Sequence, residues 1–340
     1  MSRDLRILSP EQVDAERNSE ARLRPQSLDD YVGQDRVKEN LRVFIEAARQ
    51  RGEPLDHVLL SGPPGLGKTT LAHILAHSME AEIKVASGPV FTTPADLLSV
   101  LSHLKTQQVL FIDEVHRLNR VVEEHLYPAM EERRCELIVD KGPNARHYSL
   151  ALEPFTLVGA TTRPGMLTGP LRSRFGLAIR LDYYAAEELQ RIVRRSARLL
   201  EIELTDDGAI EIARRARGTP RIANRLLRRA RDFAQVERDG VIDADVARYS
   251  LDRLDIDACG LDDMDRRFLR TVVEKFGGGP VGVATLASAL SEDVETLEDV
   301  YEPYLIQEGF LARTARGREA TSRAYQHLGI SRPSGGGLFG

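Results

Sequence analysis

The stretch GPPGLGKTT, Gly62 to Thr70, decides how the rest of this chain is read. It follows an apolar run, His57-Val58-Leu59-Leu60, that reads as a buried strand, and it runs into LAHILAHSM, whose apolar positions recur at helical spacing. Strand, glycine loop and helix in that order make a phosphate cradle. Glycines at 62, 65 and 67 let the backbone curl so that its N–H groups point inward at phosphate oxygens, and the new helix adds the positive end of its dipole. Lys68 then reaches the β- and γ-phosphates, and the Thr69 hydroxyl is placed to ligate Mg²⁺. A plain glycine turn with a chance lysine would not need all four fixed positions of the pattern between a strand and a helix.

A chain of 340 residues has room for two or three domains and a sizeable core. With 42% hydrophobic and 29% charged residues it reads as a water-soluble protein, and no stretch approaches the roughly 18 to 20 apolar residues of a membrane span. The N-terminal arm, residues 1 to about 20, is polar, without a signal-peptide core or clean periodicity; it is expected to be loose, and the protein cytoplasmic. Cys135 and Cys259 stand far apart without spaced His or Cys neighbours, which supports neither a zinc site nor a disulfide framework. The net charge of −5 excludes a generally positive surface but not a local basic patch.

Upstream of the loop, RLRPQSLDDYVGQ (Arg22 to Gln34) is a domain entry: Pro25 sets an extended start, Ser27 or Asp29 would cap a helix, and Tyr31-Val32 lead into a helix from Asp35 to about Arg51. Its apolar residues would suit an adenine base. Downstream, VLFIDEVH (Val109 to His116) reads as a central parallel strand with Asp113 and Glu114 at its carboxyl end, the edge where open α/β sheets bind ligands. Asp113 suits Mg²⁺, and Glu114 suits orientation or deprotonation of an attacking water; the competing reading is an acidic cap on the next helix. Cys135 to Leu152 reads as two alternating strands about the turn Lys141-Gly142-Pro143-Asn144. Such a hairpin inserted in an α/β alternation is either a solvated excursion or a docking edge built on Leu137, Ile138 or Val139.

The run PFTLVGATTRPG returns to the sheet, with Thr161-Thr162 at the strand's carboxyl end, where a hydroxyl would reach a γ-phosphate or an attacking water. In GPLRSRFG, Arg172 and Arg174 flank a serine before a last strand at Leu177 to Leu181; either is a candidate to reach a neighbouring subunit's phosphate. From Ala185 three helices make a small helical domain, and Arg221 sits in the first turn of the third, after Gly218-Thr219-Pro220, where it would be aimed back at a nucleotide. A turn-rich linker, Leu251 to Gly260, precedes three further helices and a hairpin about Ala315-Arg316-Gly317, the pattern of a winged helix. Between 311 and 332, Arg313, Arg316, Arg318, Arg323 and Arg332 face one acid, Glu319, a footprint of phosphate contact if they are not simply solvated. The tail SGGGLFG is expected to be disordered.

Phosphate loop, DE strand, threonine-ended strand, Ser-Arg-Phe loop and helical lid in this order resemble the AAA+ ATPases. The strings LFIDEVHRL, YPAME, GATTRPGMLTGPLRSRFG, RARGTPRIANRLLRRARDFA and EPYLIQEGFLARTARGR narrow the resemblance to the RuvB family of bacterial Holliday-junction branch-migration motors. It implies an α/β P-loop AAA+ core with a parallel sheet flanked by helices (residues 1–184), a small helical lid (185–255) and a C-terminal winged helix (256–340). It implies ATP and Mg²⁺ as cofactors, with Gly65, Lys68, Thr69 and Thr70 on the phosphates and metal and Asp113 with Glu114 as the acidic pair. Thr162 matches the first sensor, Arg174 the finger given to the adjacent subunit, and Arg221 the second sensor. Leu23, Arg24 and Tyr184 would border adenine or ribose, and Glu131, Glu132 and Arg133 would be further nucleotide contacts. The hairpin 135–152 would dock RuvA, Arg313 and Arg318 would hold DNA, and RuvC would join in a resolution complex. Family members act as hexameric rings on the duplex arms of a junction. The rival readings are a clamp-loader or protein-remodelling AAA+ protein and a P-loop kinase or switch; the arginine-rich wing argues against both.

Overall fold

The computed structural model describes residues 22–139 and 146–332. The N-terminal arm, the turn expected at Lys141–Asn144 and the tail SGGGLFG lie outside the described residues. The chain divides into two compact units, Met1–Tyr184 and Ala185–Gly340.

In the first unit, apolar runs bounded by turns become strands β1 (Val58–Ser61), β2 (Ile83–Ser87), β3 (Val109–Asp113), β6 (Thr156–Thr161) and β7 (Leu177–Arg180). They form one parallel sheet in the order β2-β3-β6-β1-β7. β1, β3 and β6 are buried almost throughout, as strands covered on both faces must be. Helices Asp35–Arg51, Lys68–Ser78, Pro94–Leu101 and Arg120–Glu131 supply the flanking layers. Ser27 bonds Asp30 within a turn instead of capping a helix, and the helix at Asp35 starts from Gln34 with no side-chain cap. Between the fourth helix and β6, strands β4 (Arg134–Val139) and β5 (Arg146–Ala151) pair antiparallel as the expected inserted hairpin. Its foot is held by Cys135 and Leu152, both buried in the core under the sheet.

The second unit carries four lid helices where three are expected: Ala186–Leu199, Asp206–Arg214, Pro220–Glu237 and Ala244–Arg253. The fourth, capped by Asp243, is short and half polar, so its periodicity is weak in sequence. Then come Asp263–Arg270, extended by a wider π turn to Lys275, Val283–Leu290, a segment reaching Gln307, and the wing strands β8 (Leu311–Thr314) and β9 (Gly317–Ala320). Val281 joins β9 through two backbone bonds with Arg318, and a further helix, Ser322–Leu328, packs behind the wing. Among the described residues no helix is long and apolar enough to cross a membrane.

Candidate active site

The strand order determines what meets what. Because β6 lies between β3 and β1, the residues following all three emerge side by side at the carboxyl edge of the sheet. The glycine loop follows Ser61, Asp113 ends β3, and Thr162 follows the last residue of β6. Sequence reasoning placed these groups on separate strand ends; pairing brings them to one edge.

Gly62, Gly65 and Gly67 all have positive φ (141°, 81° and 97°). A Cβ on Gly62 would lie 2.4 Å from the Leu181 carbonyl oxygen, and one on Gly67 would meet the Tyr31 hydroxyl at 3.0 Å, so the cradle requires glycine for space as well as for conformation. The helix beginning at Lys68 has no side-chain cap, as expected of a helix end that serves an anion. Lys68 is largely buried, and its Nζ donates to the carbonyls of Gly62 and Pro63, both at 2.8 Å. The ammonium is therefore held over the loop by bonds it can exchange for phosphate oxygens. Backbone curvature, open helix end and poised lysine fit a nucleotide's phosphates, and the Thr69 hydroxyl with the Asp113 carboxylate is an oxygen donor set of the kind Mg²⁺ takes.

Asp113 Oδ1 accepts from the Glu114 amide at 3.0 Å. Glu114 itself is left-handed (φ 49°), and Gly88 packs so tightly on its carbonyl that an added Cβ would come within 2.4 Å. That turn throws the Glu114 carboxylate off the strand axis, where its Oε2 meets Arg117 at 3.1 Å. Thr161 is fully buried and bonded to His116 Nδ1 at 2.9 Å; the half-buried Thr162 is the hydroxyl left nearer the edge. Of the two threonines that sequence offers, the inward one ties β6 to the segment after β3.

The entry segment contributes a residue that sequence reasoning did not assign. The Tyr184 hydroxyl donates to that of Tyr31 at 3.0 Å, Tyr31 donates to the Leu66 carbonyl at 3.3 Å, and the Tyr184 oxygen lies at the same distance from that carbonyl. Two buried tyrosines thus buttress the loop from below, and burial pushes the Tyr31 phenol up to about 12, so it stays a donor. Leu23 is buried and Arg24 half-buried in the same unit. Burial first, and the Arg24 charge second, hold His73 on the loop's helix below the usual imidazole range.

Arg174 stands at the other edge. β7 runs parallel to β1 with Leu177 opposite Val58, so the loop before β7 lies at the amino end of the sheet, where Gly176 packs on Asp56. Four residues of β1 at about 3.3 Å each put that edge on the order of 13 Å from the glycine loop. There Arg174 bonds Glu131 (3.1 Å) and the Pro170 carbonyl (2.7 Å) and lies 4.2 Å over the Tyr127 ring. Tyr127 is fixed in turn by Glu123, which also accepts from Thr168. Glu131 thus sits with Arg174, away from Lys68, and Glu132 and Arg133 follow it on the exposed surface. Arg172 is exposed. Arg221 belongs to the second unit, exposed on the first turn of Pro220–Glu237.

The wing requires a correction. Arg313 and Arg318 are cross-strand partners, but only Arg313 is exposed; its side chain is 60% accessible. Arg318 is buried, with Nε on Glu302 at 2.6 Å and Nη2 on Glu298 at 2.8 Å, and Glu302 is itself 1% exposed. A phosphate contact by Arg318 would strand two carboxylates, one of them fully buried, so its role here is to anchor the wing.

Comparison with known proteins agrees with this geometry over nearly the whole chain. Family models described as the P-loop domain of the Holliday junction DNA helicase RuvB, the RuvB AAA lid domain and the RuvB C-terminal winged helix domain match residues 23–181, 184–257 and 258–329. A Salinibacter ruber protein named Holliday junction branch migration complex subunit RuvB is 61% identical over 312 residues, 92% of this chain and 91% of that protein. The protein of the same name from Christiangramia forsetii is 56% identical over 332 residues, 97% and 96% of the two chains. The solved structure of the Thermotoga maritima RuvB Holliday junction branch migration motor superposes with a TM-score of 0.84 at 50% identity, covering 92% of this chain and 100% of that one. Carrying all three matched domains in order, with a phosphate-binding edge of the AAA+ type, the chain belongs to the RuvB family of P-loop ATPases.

Proposed function

We propose that this chain is an ATP-driven DNA translocase that branch-migrates Holliday junctions in recombination and repair, working as a homohexameric ring on the duplex arms of a junction held by RuvA. The observation that carries the reading is the separation of Lys68, Asp113 and Thr162 at one edge of the sheet from Arg174 and Glu131 at the other. A chain that holds its own arginine away from its own phosphate loop is half of a site, and a ring supplies the other half.

Bound Mg·ATP supplies the transferable phosphoryl group and a cation that neutralises its charge. Lys68 releases the two loop carbonyls to hold phosphate, and Thr69 and Asp113 hold the metal. Glu114, freed from Arg117, accepts the proton of an attacking water oriented with Thr162. Arg174, with Glu131, Glu132 and Arg133 beside it, faces the nucleotide of the next subunit, while Leu23, Arg24 and Tyr184 border the base and Arg221 meets the phosphates from the lid. We read residues 1–184 as the ATPase core, 185–255 as the lid and 256–340 as the DNA-binding head, in which Arg313 contacts backbone phosphate and Arg318 supports it. The hairpin 135–152 is read as the RuvA dock, with RuvC joining at resolution, in the cytoplasm. The wing's exposed charge favours this over a clamp loader.

ATPase measured with no DNA, with linear duplex, and with a four-way junction plus RuvA tests the proposal. Turnover should rise with duplex and rise further with the RuvA-bound junction, alongside strand exchange on a mobile junction. ATPase indifferent to all three would favour a remodelling role.

A further inference from the structure

The loop that ends one lid helix and starts the next, Arg215 to Thr219, is gripped by the winged helix. Arg217 is left-handed (φ 55°), and so is Gly218, which turns the Arg217 side chain inward at the point where helix Pro220–Glu237 begins. Its guanidinium is buried and bidentate on Asp265, with Nη1 to Oδ2 at 2.9 Å and Nη2 to Oδ1 at 3.0 Å, and it lies 4.7 Å over the Tyr304 ring. Asp265 is 0% exposed and sits in the first turn of the first winged-helix helix, locked there by reciprocal bonds with Asp262. Tyr304 belongs to the segment leading into the wing, and its hydroxyl bonds the Cys259 carbonyl in the linker.

The same loop is held a second time two residues earlier, at Arg215. Arg215 reaches Glu211, Asp252 and the Ile256 carbonyl, and Gly260 approaches the Arg215 carbonyl so closely that a Cβ would come within 2.7 Å. The linker is therefore tied to the lid loop along its length, at Asp252, Ile256 and Gly260. A buried ion pair contributes little net stability over an apolar contact, but a bidentate fork fixes distance and angle, which an apolar contact that slides does not.

We propose that Arg217 is a positioning residue that makes the winged helix and the helix start carrying Arg221 one lever, so that load on a DNA-bound wing reaches the nucleotide through the Arg217–Asp265 pair. This rests on the reading that Arg221 meets the nucleotide. Arg221 lies four positions after Arg217, on the first turn of a helix whose preceding loop cannot move without the winged helix. Any rotation of helix Asp263–Arg270 drags the fork, and with it the backbone from Arg217 to Pro220.

The test compares Arg217→Lys, which keeps the charge but loses the fork, and Asp265→Asn, which keeps the shape, with Arg221→Ala in parallel. Basal kcat, KM for ATP and duplex affinity should stay within about twofold, while stimulation of kcat by linear duplex should fall by roughly tenfold, within the range for coupling between sites. Parallel loss of basal and stimulated rates with lowered Tm would mean a merely structural pair and overturn the proposal. Undiminished stimulation in both variants, with Arg221→Ala impaired, would overturn the lever alone; full turnover in Arg221→Ala would instead bring down the reading beneath it. If the single variants fail to fold, the double variant Arg217→Met with Asp265→Leu preserves volume without a directional bond. It should fold and lose stimulation, and its retaining stimulation would refute the role of the fork.

Discussion

His57, the residue before β1, is a neutral imidazole by construction. Its Nδ1 accepts from the Leu157 amide at 2.9 Å and its Nε2 donates to the Met130 carbonyl at 3.1 Å, so one ring ties β1, β6 and the end of the helix that carries Glu131. Protonation would put a hydrogen on Nδ1 facing an N–H group. Burial holds the ring below the usual imidazole range, with the Asp56 charge and the Met130 carbonyl opposing and the Arg133 charge assisting. A folded-state value below the unfolded 6.5 means stability that is full above about pH 6.5 and lost as pH falls through the folded value. Thermal unfolding followed from pH 8 to pH 5 should show this decline in the native protein and a flatter profile in His57→Gln. That variant should also be less stable at pH 8 by roughly 1–3 kcal/mol, through a poorer fit to two buried backbone groups. Identical pH slopes would show that His57 is not the group responsible.

At the scale of the element, the wing separates two arginines that look alike in sequence. Arg318 neutralises Glu302 and Glu298 in the interior, whereas Arg313 extends from β8 into solvent with only a 3.6 Å contact to Glu298. Removing Arg318 leaves the buried Glu302 carboxylate without its partner, so Arg318→Ala should cost about 3–5 kcal/mol of the head's stability. Arg313→Ala should leave Tm nearly unchanged, weaken duplex binding alike on unrelated sequences, and reduce the slope of log K against log salt by about 0.9. Melting curves and salt titrations of the two variants check this; an Arg318→Ala protein as stable as the parent would return that residue to the list of phosphate contacts.

For the whole molecule the deciding feature is the two-edged sheet. The contacts that hold Arg174 in place, an ion pair with the exposed Glu131, a hydrogen bond to the Pro170 carbonyl and a ring contact, amount to about 1 kcal/mol each. An arginine finger contributes roughly 10³-fold or more, about 4 kcal/mol, so the neighbour's transition state readily outcompetes them. Arg174→Ala should therefore bind ATP and assemble yet lose about 10³ in turnover. Mixing it with Lys68→Ala, each inactive alone, should partly restore ATPase, because some interfaces then pair an intact loop with an intact arginine. Mixed rings shown to form but inactive at every ratio would mean that Arg174 acts within its own subunit.

The phosphate loop was legible because a run of nine residues carries its own glycines, lysine and hydroxyl, and backbone curvature alone brings them to one point. The acidic strand end, the threonine-ended strand and the hairpin were legible for the same reason: each is chemistry on contiguous chain. Two lesser elements were missed, the helix at Ala244–Arg253 and the one at Ser322–Leu328, because their short runs carry too few apolar positions to set a period. What only the tertiary structure decided are pairings between residues remote in sequence. Tyr31 meets Tyr184 across 153 positions, His57 meets Leu157 across 100, and Arg217 meets Asp265 across 48. No local pattern marks such partners, since each is fixed by how strands and helices pack and not by the residues beside it. Whether an arginine faces water or a buried carboxylate is decided the same way, which is why Arg313 and Arg318 read alike in sequence and differ in the fold.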